Sequence, residues 1–117
     1  MNLMDAELLK SNCADDKGMM LELLTIGLES IDRAITGIHT NLEKQDWNEL
    51  ARAAHKLRPV LCYCGITSLS DDLLYIETNA KEQNNLAELV KLSAPVLDKI
   101  RVARTEVEQY LVKLSAN

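Results

Sequence analysis

Residues Asp46 to Leu69 read DWNELARAAHKLRPVLCYCGITSL, and the fold can be built outward from them. Trp47, Leu50, Ala54, Leu57 and Leu61 recur at helical spacing, the stripe that an amphipathic helix buries in a bundle. The opposite face is of another kind. Asn48, Ala51, Arg52, Arg58, Pro59 and Cys62 all project within about 60° of His55, and each is small or cationic. The spacing therefore predicts an imidazole on a helix over 46–63, flanked by guanidinium groups and uncovered by bulky apolar side chains. Asp46 can cap this helix, with Glu49 reciprocating as in a capping box, and Gly65 is its expected stop. Pro59 inside it removes one backbone hydrogen bond, so a mild kink or local irregularity is expected there.

The flanking sequence supplies partners for that stripe. A longer helix over 17–43, capped by Asp15 or Asp16, carries Met20, Leu24, Gly27, Ile31, Ala34, Ile35, Ile38 and Leu42 in register. After the polar turn at 43–45 and the His55 helix, a helix over 67–82 presents Ile66, Leu69, Leu73, Ile76 and Ala80. Asn84-Asn85 reads as the next turn, with Asn85 and Glu88 resembling a cap. The final helix, 86–114, has Leu86, Leu89, Val90, Leu97, Ile100, Val107, Leu111 and Leu114 on its apolar face, and Pro95 should bend it. A short helical piece near 5–10 precedes them, with Met4, Leu8 and Leu9 as its apolar contacts. No stretch alternates at period two. The expected architecture is all-α: an antiparallel up-down four-helix bundle in a single domain, 1–117, with the N-terminal helix closing one end.

Composition narrows the function. A net charge of −5 argues against general nucleic-acid binding, which needs surplus Lys and Arg to neutralise phosphates. No apolar run reaches the roughly 18 residues of a membrane span, and MNLMDAELLK lacks the basic flank and apolar core of a signal peptide. Cys13, Cys62 and Cys64 are an odd number of cysteines, pointing to reduced thiols in a cytoplasm. Four amphipathic helices can satisfy one another within one chain, so a monomer is expected.

The stretch Asn48 to Ser70 holds Arg52, Lys56 and Arg58 against one acid, Glu49, a local positive island in an acidic protein. Cations beside an exposed imidazole suit a group that carries or receives a phosphoryl anion, although a solvated basic face has the same composition. His39 serves as an internal control: it lies beside an apolar stripe with Glu43 one turn later, where a carboxylate would repel phosphate. Cys62-Tyr63-Cys64 with His55 invites a thiol or metal sensor. In a regular helix, however, positions i and i+2 point about 200° apart and cannot share a tetrahedral ion. A Cys62–His55 nucleophilic pair lacks an identifiable orienting carboxylate in the stretch. No glycine-rich nucleotide cradle is present, and no carboxylate cluster suggests a magnesium site. If His55 handles phosphate, the donor is not ATP.

Ala54-His55-Lys56-Leu57-Arg58-Pro59, followed by Gly65, Leu69 and Glu77, resembles the signature of histidine-containing phosphotransfer (HPt) domains, roughly A-H-x-L-K-G, a glycine about six residues later, and an apolar and acidic helix. The resemblance extends over the chain through its four-helix core. It implies a phosphorelay carrier, not an enzyme with an ATP site, in which His55 accepts a phosphoryl group from a receiver domain's aspartyl phosphate and passes it to another receiver. Arg58 stands at the family's usual lysine position, and Lys56 would assist it with phosphate charge. Asn48, Ala51, Arg52, Pro59 and Cys62 would form the docking patch. The partners implied are response-regulator receiver domains and a hybrid histidine kinase. No cofactor is expected in this chain, and the magnesium would sit on the receiver. Pro59 departs from the family pattern, which commonly has glycine there. Two other readings are a non-catalytic helical module that binds a receiver or kinase, and a sensor using His55 and Cys62.

Overall fold

The computed structural model describes residues 2–116; Met1 and Asn117, the ends of the expected 1–117 domain, lie outside them. Among the described residues there are five helices and no strand: α1 (Ala6–Asn12), α2 (Lys17–Lys44), α3 (Trp47–Tyr63), α4 (Ser70–Glu82) and α5 (Leu86–Ser115). Helices α2 to α5 form the antiparallel up-down bundle that the periodicity predicts. Each packs on the next, and α5 returns to α2. The molecule measures 46 × 24 × 20 Å. At about 1.5 Å per residue, α5 alone spans its long axis.

Three aspartates start three of the helices. Asp5 Oδ1 accepts from the N–H groups of Glu7 and Leu8 at 3.0 and 3.1 Å. Asp16 accepts from Met19 at 3.0 Å and Asp46 from Glu49 at 3.3 Å. Each bond satisfies a donor that the first helical turn leaves without an intrahelical partner. Helix α3 ends on a Schellman motif: Gly65 N–H donates to the Cys62 carbonyl at 3.0 Å and Ile66 N–H to the Leu61 carbonyl at 2.8 Å. Gly65 has φ +85°, the left-handed conformation that glycine adopts without steric penalty. Helices α2 and α4 end with the same pair of bonds, but the left-handed positions are Gln45 (φ 56°) and Gln83 (φ 54°).

The core joins all four long helices. Leu24, Ile31 and Ile38 of α2 meet Leu50, Ala54, Leu57 and Leu61 of α3; Leu73 and Ile76 of α4 and Ile100 and Val107 of α5 complete it. Complete burial of such side chains contributes roughly 1.5–3 kcal/mol each, which fixes the rotation of α3 about its axis. Helix α1 closes one end. Its Asn12 Nδ2 donates to the carbonyls of Cys62 and Tyr63, and Asp5 N–H donates to the Gly65 carbonyl at 2.8 Å. A Cβ on Gly65 would stand 2.5 Å from the Asp5 carbonyl oxygen, so space as well as φ excludes a side chain. The N–H groups of Leu3 and Met4 both donate to the Glu106 carboxylate, tying the N-terminal segment to α5.

Several local expectations are corrected. Glu49 does not complete a capping box: Asp46 N–H is already bound to the Asn41 carbonyl, and the Glu49 carboxylate pairs with Arg52 at 3.1 Å. Asn85 makes no side-chain cap; its amide donates to Oδ1 of the buried Asn79 at 3.0 Å. Helix α4 starts at Ser70 rather than at 67, so Ile66 and Leu69 are buried from the preceding turn. Val90 is exposed, and Val96 and Ala103 take up the core positions of α5. Both α3 and α5 run unbroken through their prolines.

Candidate functional site

His55 follows from the burial of its own helix. With Ala54 and Leu57 locked in the core, His55 and Lys56 between them are turned outward, and the His55 side chain is 69% exposed. Helices α3 and α4 form an antiparallel pair about the turn at 64–69. His55 lies eleven residues before Ile66 and Glu77 eleven after it, so the two come level. Glu77 Oε2 is 2.9 Å from His55 Nδ1, and the Glu77 side chain is only 20% exposed. An ionised carboxylate can only accept, so a neutral ring in this contact carries its proton on Nδ1 and its lone pair on Nε2.

Arg58 approaches the same carboxylate from one turn further along α3. Its Nη1 is 3.7 Å from Glu77 Oε1, within an ion pair but beyond a hydrogen bond. Arg58 Nε and Glu77 Oε1 are buried, and neither has a hydrogen-bond partner in the protein. The guanidinium and the imidazole therefore share one carboxylate, and the guanidinium makes no hydrogen bond to it.

The other cations lie elsewhere. Arg52 and Lys56 turn toward α2, where both line a groove between α2 and α3. Lys56 is exposed and forms no ion pair among the described residues. The island read from the sequence is thus divided: Arg58 is beside His55 on the α4 side, and Arg52 and Lys56 are on the α2 side. Of the remaining docking residues, Asn48 and Pro59 are exposed and Cys62 is half-buried. Ala51 is corrected. It is 6% exposed, because α3 lies between α2 and α4 and buries an arc wider than a single stripe. Pro59, lacking an N–H, cannot donate to the His55 carbonyl one turn back.

His39 forms the local pair that its spacing suggests, with Nε2 3.1 Å from Glu43 Oε1. The three thiols are free. Burial, and then the neighbouring Cys13, pushes the Cys64 thiol up to about 11; burial and then Asp16 raise Cys13. Neither is a ready thiolate at neutral pH. Among the described residues no three His, Cys, Asp or Glu side chains gather as a metal centre would require.

Sequence reasoning missed the part Glu77 takes. Glu49 was the one acid in the positive island, and no orienting carboxylate was identifiable near His55; α4 supplies one from 22 residues away. The signal was available. Glu77 directly follows the core residue Ile76, at the edge of a buried stripe, and the antiparallel pairing of 46–63 with the next helix sets it opposite His55.

The sequence profile described as Hpt domain matches residues 22–116. No curated protein matches the chain. Among solved structures, the crystal structure of the HPT domain from the Hpt sensor hybrid histidine kinase from Shewanella is similar, with a TM-score of 0.86 and 26% sequence identity over 97% of each chain.

Proposed function

The chain belongs to the Hpt domain family and is a phosphorelay histidine phosphocarrier, and on that premise we propose that His55 holds the phosphoryl group while Glu77 and Arg58 prepare it. The observation that carries this assignment is the 2.9 Å contact of Nδ1 with Glu77. It leaves Nε2 as the nucleophile of an exposed ring. Nε2 attacks the phosphorus of a receiver's aspartyl phosphate. The N–P bond forms as the P–O bond to the aspartate breaks, and the aspartate leaves as a carboxylate with the bonding electrons. Positive charge that develops on the imidazole is shared through Nδ1–H with Glu77. Arg58 turns its donors to the phosphoryl oxygens, a charge-assisted contact. Transfer to a second receiver reverses these steps. Positioning and charge stabilisation dominate such transfers, so little further apparatus is needed.

On this reading the donor is an aspartyl phosphate rather than ATP, and the magnesium belongs to the partner receiver. The partners are receiver domains and a hybrid kinase, met in the cytoplasm by a monomer; no described helix is long and apolar enough to cross a membrane. A stable dimer in sedimentation at micromolar concentration would contradict the monomer.

The test uses phosphorylated receiver domains as donors. His55→Gln abolishes acceptance and changes stability by less than about 0.5 kcal/mol, as expected for an exposed side chain. His39→Gln accepts phosphate normally. A His55→Gln protein that still becomes labelled contradicts the assignment, and loss of labelling in His39→Gln alone moves the site there.

A further inference from the structure

The groove between α2 and α3 has a volume of about 380 Å³ and lies on the flank of α3 away from Glu77. Its floor is kept low by Gly37 and Ala53: a Cβ on Gly37 would only just touch the Ala53 methyl, at 3.8 Å. Its rim carries Arg33 from α2 and Arg52 and Lys56 from α3, against Glu49. That is a concentration of positive charge in a chain of net charge −5. Arg52 is paired with Glu49, whereas Arg33 reaches Glu29 only at 3.7 Å with both side chains largely in solvent. On the α4 side of His55 the charges compensate one another. Glu77 is shared by His55 and Arg58, and Asp72 turns to Lys99 of α5.

We infer that this groove is the second anchor for the partner receiver, taking an acidic, partly apolar segment whose carboxylates meet Arg33 and Lys56 and whose apolar side chain rests on Gly37 and Ala53. The inference rests on the assignment of His55 above. Lys56 adjoins His55 in sequence and Arg52 precedes it by one turn, so groove and acceptor share one helix. A standard interface covers about 800 Å² per partner, roughly 30 Å across, while a helix with its side chains is about 10–12 Å wide. A receiver centred on His55 therefore overhangs α3 on the groove side. The rim cations attract an acidic segment and repel a basic one, so the groove favours partners of the matching charge pattern.

Steady-state transfer from a phosphorylated receiver that is active on the wild-type chain tests this. Gly37→Leu fills the groove with a better helix former, and Arg33→Glu reverses a rim charge on a solvent-exposed side chain. Each raises KM for the receiver about tenfold with kcat held within about twofold, and the Arg33→Glu effect shrinks as salt is raised. Arg101→Glu, on α5 away from both flanks, leaves KM unchanged. If both groove variants keep the wild-type KM while His55 is still phosphorylated, the anchor is overturned and the acceptor assignment stands. A fall in kcat at unchanged KM also overturns it, because the groove would then act on the chemistry rather than on docking. If no receiver in the panel phosphorylates the wild-type chain, both fall.

Discussion

The His55 imidazole and the Glu77 carboxylate stand on different helices, and their 2.9 Å contact decides which ring nitrogen reacts. What matters for this is an acceptor at Nδ1, which an amide oxygen also provides. Glu77→Gln, which keeps the acceptor but not the charge shared with the imidazole, should therefore slow transfer less than Glu77→Ala, which should slow it roughly tenfold, the worth of about one oriented hydrogen bond. Equal loss in both variants would mean that the charge of Glu77 matters rather than its position. Arg58 acts on the phosphate side. A charge-assisted contact contributes about 1.5–3 kcal/mol where solvent is partly excluded, and screening at this partly open position favours the low end. Arg58→Ala should slow acceptance about tenfold and Arg58→Glu more, by placing a carboxylate where the phosphate arrives. An Arg58→Glu protein as fast as wild type would remove the guanidinium from the mechanism. His55 and Arg58 were legible in the sequence because both lie on one helix, where a fixed angular step relates them. The part Glu77 takes was legible only through the antiparallel pairing of two helices, a tertiary relation rather than a fixed angular step.

At the scale of the element, helix ends separate what local sequence states from what it conceals. Gly65 announces the end of α3, and the structure uses both of its freedoms, the positive φ and the missing Cβ. Gln45 and Gln83 hold the same backbone conformation without glycine's freedom, and nothing in a glutamine signals it. The left-handed conformation costs about 1–2 kcal/mol for a residue with a Cβ, and glycine's extra unfolded-state entropy offsets about half of that. Gln45→Gly and Gln83→Gly should each stabilise the fold by about 0.5–1 kcal/mol, read as a higher urea midpoint. Gly65→Ala should destabilise it by at least about 2 kcal/mol, because strain and a backbone collision add. A Gly65→Ala midpoint equal to wild type would mean that the α1–α3 junction is looser than its geometry. The capping box at Glu49 and the cap at Asn85 failed for a related reason. Both are local patterns, and a neighbouring Schellman turn in one case and a buried asparagine in the other claimed their groups first.

For the molecule as a whole, the periodic stripes were sufficient to read the bundle, since four faces of matched period have few ways to bury one another. The depth of individual positions was not legible in the same way: Ala51 went under and Val90 came out, because burial there depends on which helix lies alongside. Depth also gives the fold an alkaline limit. The Cys64 thiol ionises near 9.0 when unfolded and is pushed up to about 11 in the native state. A raised thiol keeps its stabilising contribution below about pH 9, and that contribution is lost as pH rises toward 11, on the order of 2–3 kcal/mol in all. Urea midpoints should fall across that window and flatten in Cys64→Ala; an unchanged slope would assign the loss to other groups. The central claim concerns one nitrogen. Phosphorus–nitrogen correlation by NMR on the chain freshly phosphorylated by a receiver should place the phosphoryl group on Nε2 of His55, with Nδ1 still protonated toward Glu77. Phosphorus on Nδ1, on His39 or on an oxygen atom would contradict it.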